Sequence, residues 1–125
     1  VSTARERRQR QEVIDSLEDV MELSDELVSM LKAGRNHYRK VRGRLERGAT
    51  ISDAMSAVPV ADLRYSLTEM MADFEAARHR VRQLTIARGL AEGMTINELG
   101  RLWGFSRQLA ARYAKERPLT RRRRR

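Results

Sequence analysis

From Val13 onward, apolar residues return at alternating steps of four and three: Val13, Leu17, Val20, Leu27, Leu31, Tyr38, Val41 and Leu45, with Ser24 and Gly34 holding their places in the same series. That is the heptad period of a bundle or coiled-coil helix, and it predicts one helix from about Arg8 to Arg47. Gly34 costs about 1 kcal/mol relative to Ala in a helix interior, and the unbroken phase across it favours one bent helix over two. Gly48 is placed to end the helix, Thr50 or Ser52 to cap a short helical turn through Asp53 to Ala57, and Pro59 to open the next element. A second heptad follows in Val60, Leu63, Leu67, Met70, Phe74, Ala77, Val81 and Leu84, interrupted by Arg88 before Leu90 and Ala91. At 1.5 Å per residue each helix approaches about 50 Å, so the two can lie antiparallel as a long hairpin.

The pattern changes at Met94. MTINELGRLWGFSRQLAARYAK, residues 94–115, reads as helix, turn and helix. Thr95 can cap the first helix while Glu98, three residues on, reaches back to it in a capping box. Gly104 falls where the chain reverses and can take a left-handed conformation there. Ser106 is a second N-cap, opening a helix from Arg107 to Lys115. Leu99, Trp103 and Phe105 are expected to point inward from the first helix and turn, and Ala110 and Tyr113 to face back from the second. Gly100 stands where two crossing helices approach closely. Outward on the second helix remain Ser106, Arg107, Gln108, Ala111, Arg112 and Lys115. Arg can bridge guanine O6 and N7, Gln can bridge adenine N6 and N7, and Lys neutralises phosphate, so these positions carry the chemistry of DNA contact.

In these residues the chain resembles the bacterial helix-turn-helix DNA-binding regulators. More narrowly, Gly93-Met94-Thr95, Glu98-Leu99-Gly100 and Gly104-Phe105-Ser106-Arg107 look like the promoter-reading helix-turn-helix of sigma factors. The likeness covers about the last third of the chain and has no counterpart of the segments that melt promoters. It implies a way of gripping DNA rather than a complete sigma factor.

Charge supports a polyanionic partner. The net charge is +9 and the pI near 11.1, so nucleic acid is the first candidate, and with the helix-turn-helix the expected partner is double-stranded DNA. The first long helix is segregated, with Asp15, Glu18, Asp19, Glu22, Asp25 and Glu26 followed by Lys32, Arg35, Arg39, Lys40, Arg42, Arg44 and Arg47. This order suits the helix dipole, and it also sets the basic end where it can approach DNA. After Lys115 come Glu116, Arg117 and Pro118, which ends the helix, then the run Arg121, Arg122, Arg123, Arg124 and Arg125. Against a DNA-binding unit that run reads as a phosphate or minor-groove arm, with Arg117 and Thr95 as further DNA-contact candidates.

Cysteine is absent, which excludes disulfides and thiolate metal sites. His37 and His79 lie in basic helical contexts and read as solvated side chains. No cofactor or metal is expected, and nothing resembles a nucleophile with its base or a phosphate-cradling glycine loop, so no catalysis is expected either. No apolar run suffices for a membrane span and the N-terminus lacks a signal-peptide centre, which together predict a cytoplasmic, nucleoid-associated protein with no membrane partner.

The expected architecture is all-α, a long antiparallel coiled-coil-like hairpin followed by a C-terminal helix-turn-helix. Residues 1–79 form the hairpin and dimerisation region, 80–117 the DNA-binding unit and 118–125 a disordered arginine tail. The apolar seams exceed what one hairpin buries, which predicts a homodimer. The expected function is that of a sequence-specific transcription regulator reading the major groove with the helix 106–115. Alternatives are an accessory protein of RNA polymerase, a nucleoid-type protein binding by charge alone, and a recombinase or phage packaging subunit whose catalytic or motor chain lies elsewhere.

Overall fold

The computed structural model describes residues 2–121. The chain is all-α: α1 (Ala4–Glu46), α2 (Ile51–Ser56), α3 (Val60–Ala91), α4 (Ile96–Trp103) and α5 (Arg107–Lys115). The long helices α1 and α3 pack antiparallel, and the short helices α4 and α5 follow in contact with each other. None of the described helices is long and apolar enough to cross a membrane.

Helix α1 runs through Gly34 without a break. Packing explains the glycine, because it is buried and a Cβ built there would lie 3.3 Å from Leu63 Cδ2 on α3. The seam of α1, however, is not the expected one. The covered positions are Val13, Ser16, Val20, Leu23, Leu27, Met30, Gly34, His37 and Val41, with Ser24 half-buried beside them. Leu17, Leu31, Tyr38 and Leu45 are exposed. The residues seven apart, Val13, Val20, Leu27, Gly34 and Val41, belong to both series. α1 carries apolar residues on both flanks of that line, and hydrophobicity alone favoured the flank of Leu17 and Leu31. The opposite flank is the covered one, where Ser16 hides its hydroxyl by donating to the Val13 carbonyl at 2.7 Å.

The α3 seam holds as expected from Val60 to Leu84, every member half-buried or buried. Beyond it the expectation fails, since Leu90 and Ala91 are exposed while Ile86 and Gly89 are buried. Arg88 does not face a core; its guanidinium is held by Glu92 at 2.9 Å and by Gln9 at 2.7 Å.

Two compact units result, Glu22–Phe74 in one and the residues up to Met21 together with those from Glu75 in the other. The start of α1 thus belongs with the C-terminal helices rather than with the rest of the hairpin. In the first unit, Gly48 (φ 90°) ends α1, the Thr50 hydroxyl accepts from Asp53 N at 3.1 Å to cap α2, and α3 starts directly after Pro59. The connector closes a small core of Val41, Ala54 and Val58, with Ala49 and Val60 against it. In the second unit the core is Ile86, Leu99 and Tyr113, flanked by Met94, Phe105, Leu109 and Ala114. That core draws on α3, α4 and α5 together, because two short helices alone bury too little apolar surface to stand.

Candidate nucleic-acid interface

The helix-turn-helix is built by local chemistry. The Thr95 hydroxyl accepts from Glu98 N at 3.1 Å and the Glu98 carboxylate accepts from Thr95 N at 3.0 Å, a complete capping box. Those bonds, the one from the Thr95 backbone foremost, hold the Glu98 carboxyl below the usual carboxylate range. Gly104 takes φ 73°, ψ 27°, and the next amide, Phe105 N, donates to Gly100 O at 2.7 Å to finish α4. The Ser106 hydroxyl accepts from Leu109 N at 3.1 Å and opens α5.

Two glycines set how tightly these helices meet. A Cβ on Gly100 would lie 3.1 Å from the Phe105 carbonyl oxygen and 3.6 Å from Ala110 Cβ, so the turn backbone passes tightly over Gly100 and α5 reaches ordinary van der Waals contact with it. On α3, the supporting helix, Gly89 makes room for a side chain of α4, since a Cβ there would come 2.5 Å from Leu99 Cδ2. Leu99, Ala110 and Tyr113 face inward as expected. Trp103 does not: it is 38% exposed, with its indole N–H donating to Thr85 Oγ1 at 3.0 Å and its ring stacked on Phe105 at 5.7 Å. Its indole N–H finds its acceptor in Thr85, at the surface, and the ring lies there against Phe105. Phe105 stacks in turn on Tyr113 at 5.3 Å, and Tyr113 meets His79 at 4.8 Å.

With Ala110 and Tyr113 turned in, α5 presents Arg107, Gln108, Arg112 and Lys115 exposed, with Ala111 half-buried among them. Their spacing of one, three and four residues puts them on one helical face. Thr95 and Ser106 are exposed as well, but their hydroxyls are engaged as caps. Ser106 therefore positions Arg107 and Gln108 in addition to bordering the face.

The C-terminal extension behaves differently from a free arm. Glu116 Oε2 accepts from Gln83 Nε2 at 2.8 Å and lies 2.8 Å from His79 Nε2, and these bonds, Gln83 first, lower its carboxyl below the ordinary value. The Gln83 amide also donates to Arg117 O at 3.2 Å and accepts from Leu119 N at 2.8 Å, while Arg80 Nε donates to Leu119 O at 2.8 Å. Arg117 itself is exposed. Arg121 reaches the acidic stretch of α1, its guanidinium bonding both carboxylate oxygens of Asp19 at 2.8 and 2.9 Å with Asp15 at 4.0 Å. Arg122, Arg123, Arg124 and Arg125 lie outside the described residues.

The histidines are not solvated as expected. His79 is bonded to Glu116, and His37 is half-buried with Nδ1 enclosed. Among the described residues no cluster of His, Asp and Glu could hold a metal ion. Sequence reasoning missed Gln83, Arg80 and Thr85, which tie the extension and Trp103 to α3. Gln83 sits between the seam residues Val81 and Leu84, and no local pattern marks a polar residue there as buried.

Comparison with protein families, with curated proteins and with solved structures finds no match for this chain.

Proposed function

We propose that this protein is a sequence-specific DNA-binding transcription regulator that works as a homodimer and reads the major groove with α5. One observation carries the reading. Two N-capped helices flank the left-handed Gly104, and the second turns Ala110 and Tyr113 inward while exposing Arg107, Gln108, Arg112 and Lys115 on its other face. Arg107 and Gln108, in the first turn of α5, are the groups assigned to base edges. Arg112 and Lys115, further along, are assigned to phosphates, where a positive charge adds affinity without choosing a sequence. The +9 net charge favours the encounter with DNA.

The same charge also supports a second reading, a nucleoid-type protein that binds by electrostatics alone. A binding selection from random DNA at two salt concentrations separates the two. The expected outcome is an enriched motif that persists at the higher salt. Against that motif, Arg107→Ala or Gln108→Ala costs about 1–3 kcal/mol and much less on random DNA. Equal losses on both DNAs would reassign these residues to phosphate, and no loss on either would remove α5 from the interface.

A further inference from the structure

The covered seam of α1 leaves a second apolar line uncovered. In the Glu22–Phe74 unit it consists of Val28, Leu31, Tyr38 and Leu45, with the first three 49%, 51% and 60% exposed. Steps of three and seven keep these residues on one face of the helix, the face of a second heptad series in which Ser24, Arg35 and Arg42 take the remaining places. Beside this line runs an open groove of about 590 Å³, floored by Gly34, Leu63 and Leu67 and edged by Arg35, Arg39 and Arg42. The groove is apolar at its base and basic at its rim, so its occupant must carry apolar residues flanked by acid.

Charge along α1 identifies such an occupant. From Gln11 to Leu31 the helix has no basic residue, and from Leu27 to Leu45 it has no acidic one. A second α1 laid parallel would set acid on acid and base on base. Laid antiparallel, it sets Val28 against Leu31 in both directions about a two-fold axis. Asp25 then borders Lys32 of the other copy at the edge of the seam, and the basic rim of each groove lies over the acidic N-terminal half of the other α1. Like charges directly opposed are unfavourable and opposite ones favourable, so the orientation follows from the order of charges.

We propose that the exposed face of α1 in the Glu22–Phe74 unit pairs antiparallel with the same face of a second copy of this chain. The proposal specifies the dimer of the functional reading but does not depend on the DNA contact, and it is tested without DNA. The protein has no cysteine, so single cysteines report neighbours directly. Ser24→Cys and Arg35→Cys are placed to meet across an antiparallel pair. Ser24 and its own copy would be displaced by eleven positions, about 16 Å along the axis.

Under oxidising conditions the mixture of the two variants should form the mixed disulfide, while either variant alone cross-links weakly. In sedimentation at micromolar concentration, Asp25→Lys should raise the dissociation constant about tenfold, and Asp25→Lys with Lys32→Asp should return it to within about threefold of the parent. Circular dichroism of each variant checks that the helices persist. Efficient cross-linking of Ser24→Cys with itself would overturn the antiparallel arrangement. A parent protein that sediments as a monomer at tens of micromolar would overturn the pairing, whatever DNA binding shows. A dimer indifferent to both charge reversals would place the interface on another face and equally refute the proposal.

Discussion

Gly89→Ala and Gly43→Ala make the same chemical change in two long helices and should move stability in opposite directions. Alanine gains about 1 kcal/mol over glycine in a helix interior, and each variant begins with that gain. At Gly43 the nearest atom to the new methyl is the Arg47 guanidinium, 3.3 Å away on an exposed, flexible chain that can swing aside. Nearly the whole gain should survive. At Gly89 the methyl would arrive 2.5 Å from Leu99 Cδ2 and 3.3 Å from Met94 Sδ. Leu99 is only 3% exposed and is wedged among Ile86 and Tyr113, so it yields only by shifting α4 or leaving its rotamer. Overpacking of this kind costs about 1–3 kcal/mol, leaving Gly89→Ala a net loss of about 1 kcal/mol and the two variants about 2 kcal/mol apart. Urea titration followed by far-ultraviolet circular dichroism measures both. Trp103, the single tryptophan, reports the unit containing Gly89 by fluorescence. A Gly89→Ala midpoint at or above the parent's would show that Leu99 is not wedged, and the account of how α3 carries the helix-turn-helix would fall with it.

Further expectations concern the caps, the acid limb and the extension. Thr95→Ala and Ser106→Ala should each cost about 1 kcal/mol in urea titrations read by Trp103 fluorescence, whereas Ser106→Asp should keep the cap and hence the stability yet weaken DNA binding by placing a carboxylate beside the phosphates. The folded-state pKa of Glu116 is lowered, so the stability it contributes is present above the unfolded-state carboxyl value and is lost as pH falls through the lower folded value. Glu116→Gln should flatten this part of the acid limb when urea midpoints are plotted against pH. Deleting residues 121–125 should lower the slope of log affinity against log salt by up to about 4.5, at about 0.9 per arginine, without changing the preferred sequence. Asp19→Asn, which removes the carboxylate charge that Arg121 pairs with most closely, should raise DNA affinity at low salt, and an unchanged affinity would mean that this pairing does not compete with DNA.

The short helices were legible because their determinants are local. A cap and its amide lie three residues apart, Gly104 sits at the reversal itself, and Ala110 and Tyr113, three residues apart, share one face of α5, so Thr95, Glu98, Gly104 and Ser106 mark where α4 and α5 begin and turn, while α3 supplies the core they need to stand. The long helices were legible as helices but not in their facing. α1 has apolar residues on two adjoining faces, and the choice between Ser16, Met30 and His37 on one side and Leu17, Leu31 and Tyr38 on the other depends on a partner element far along the chain. Trp103 was misjudged for a related reason, since hydrophobicity ranks the indole inward while its N–H needs an acceptor, and Thr85 supplies one at the surface. The DNA-facing set on α5 follows from the inward set by subtraction. The docking of residues 116–121 does not follow from anything local, because its anchor, Gln83, lies more than thirty positions away.

The Gln83 contacts have a consequence for how this chain tolerates change. A primary amide offers one acceptor and two donors in a plane, and at Gln83 it meets the carbonyl of Arg117 and the N–H of Leu119, the two outward-facing main-chain groups that a neighbouring β-strand would have engaged. A side chain here substitutes for a strand. Because the grip falls on backbone atoms, it is indifferent to what residues 117–119 carry, provided position 119 keeps its N–H and so is never proline. Residues 117 and 119 can therefore change their side chains with the grip on α3 intact, whereas Glu116 and Arg121 are held through their own side chains.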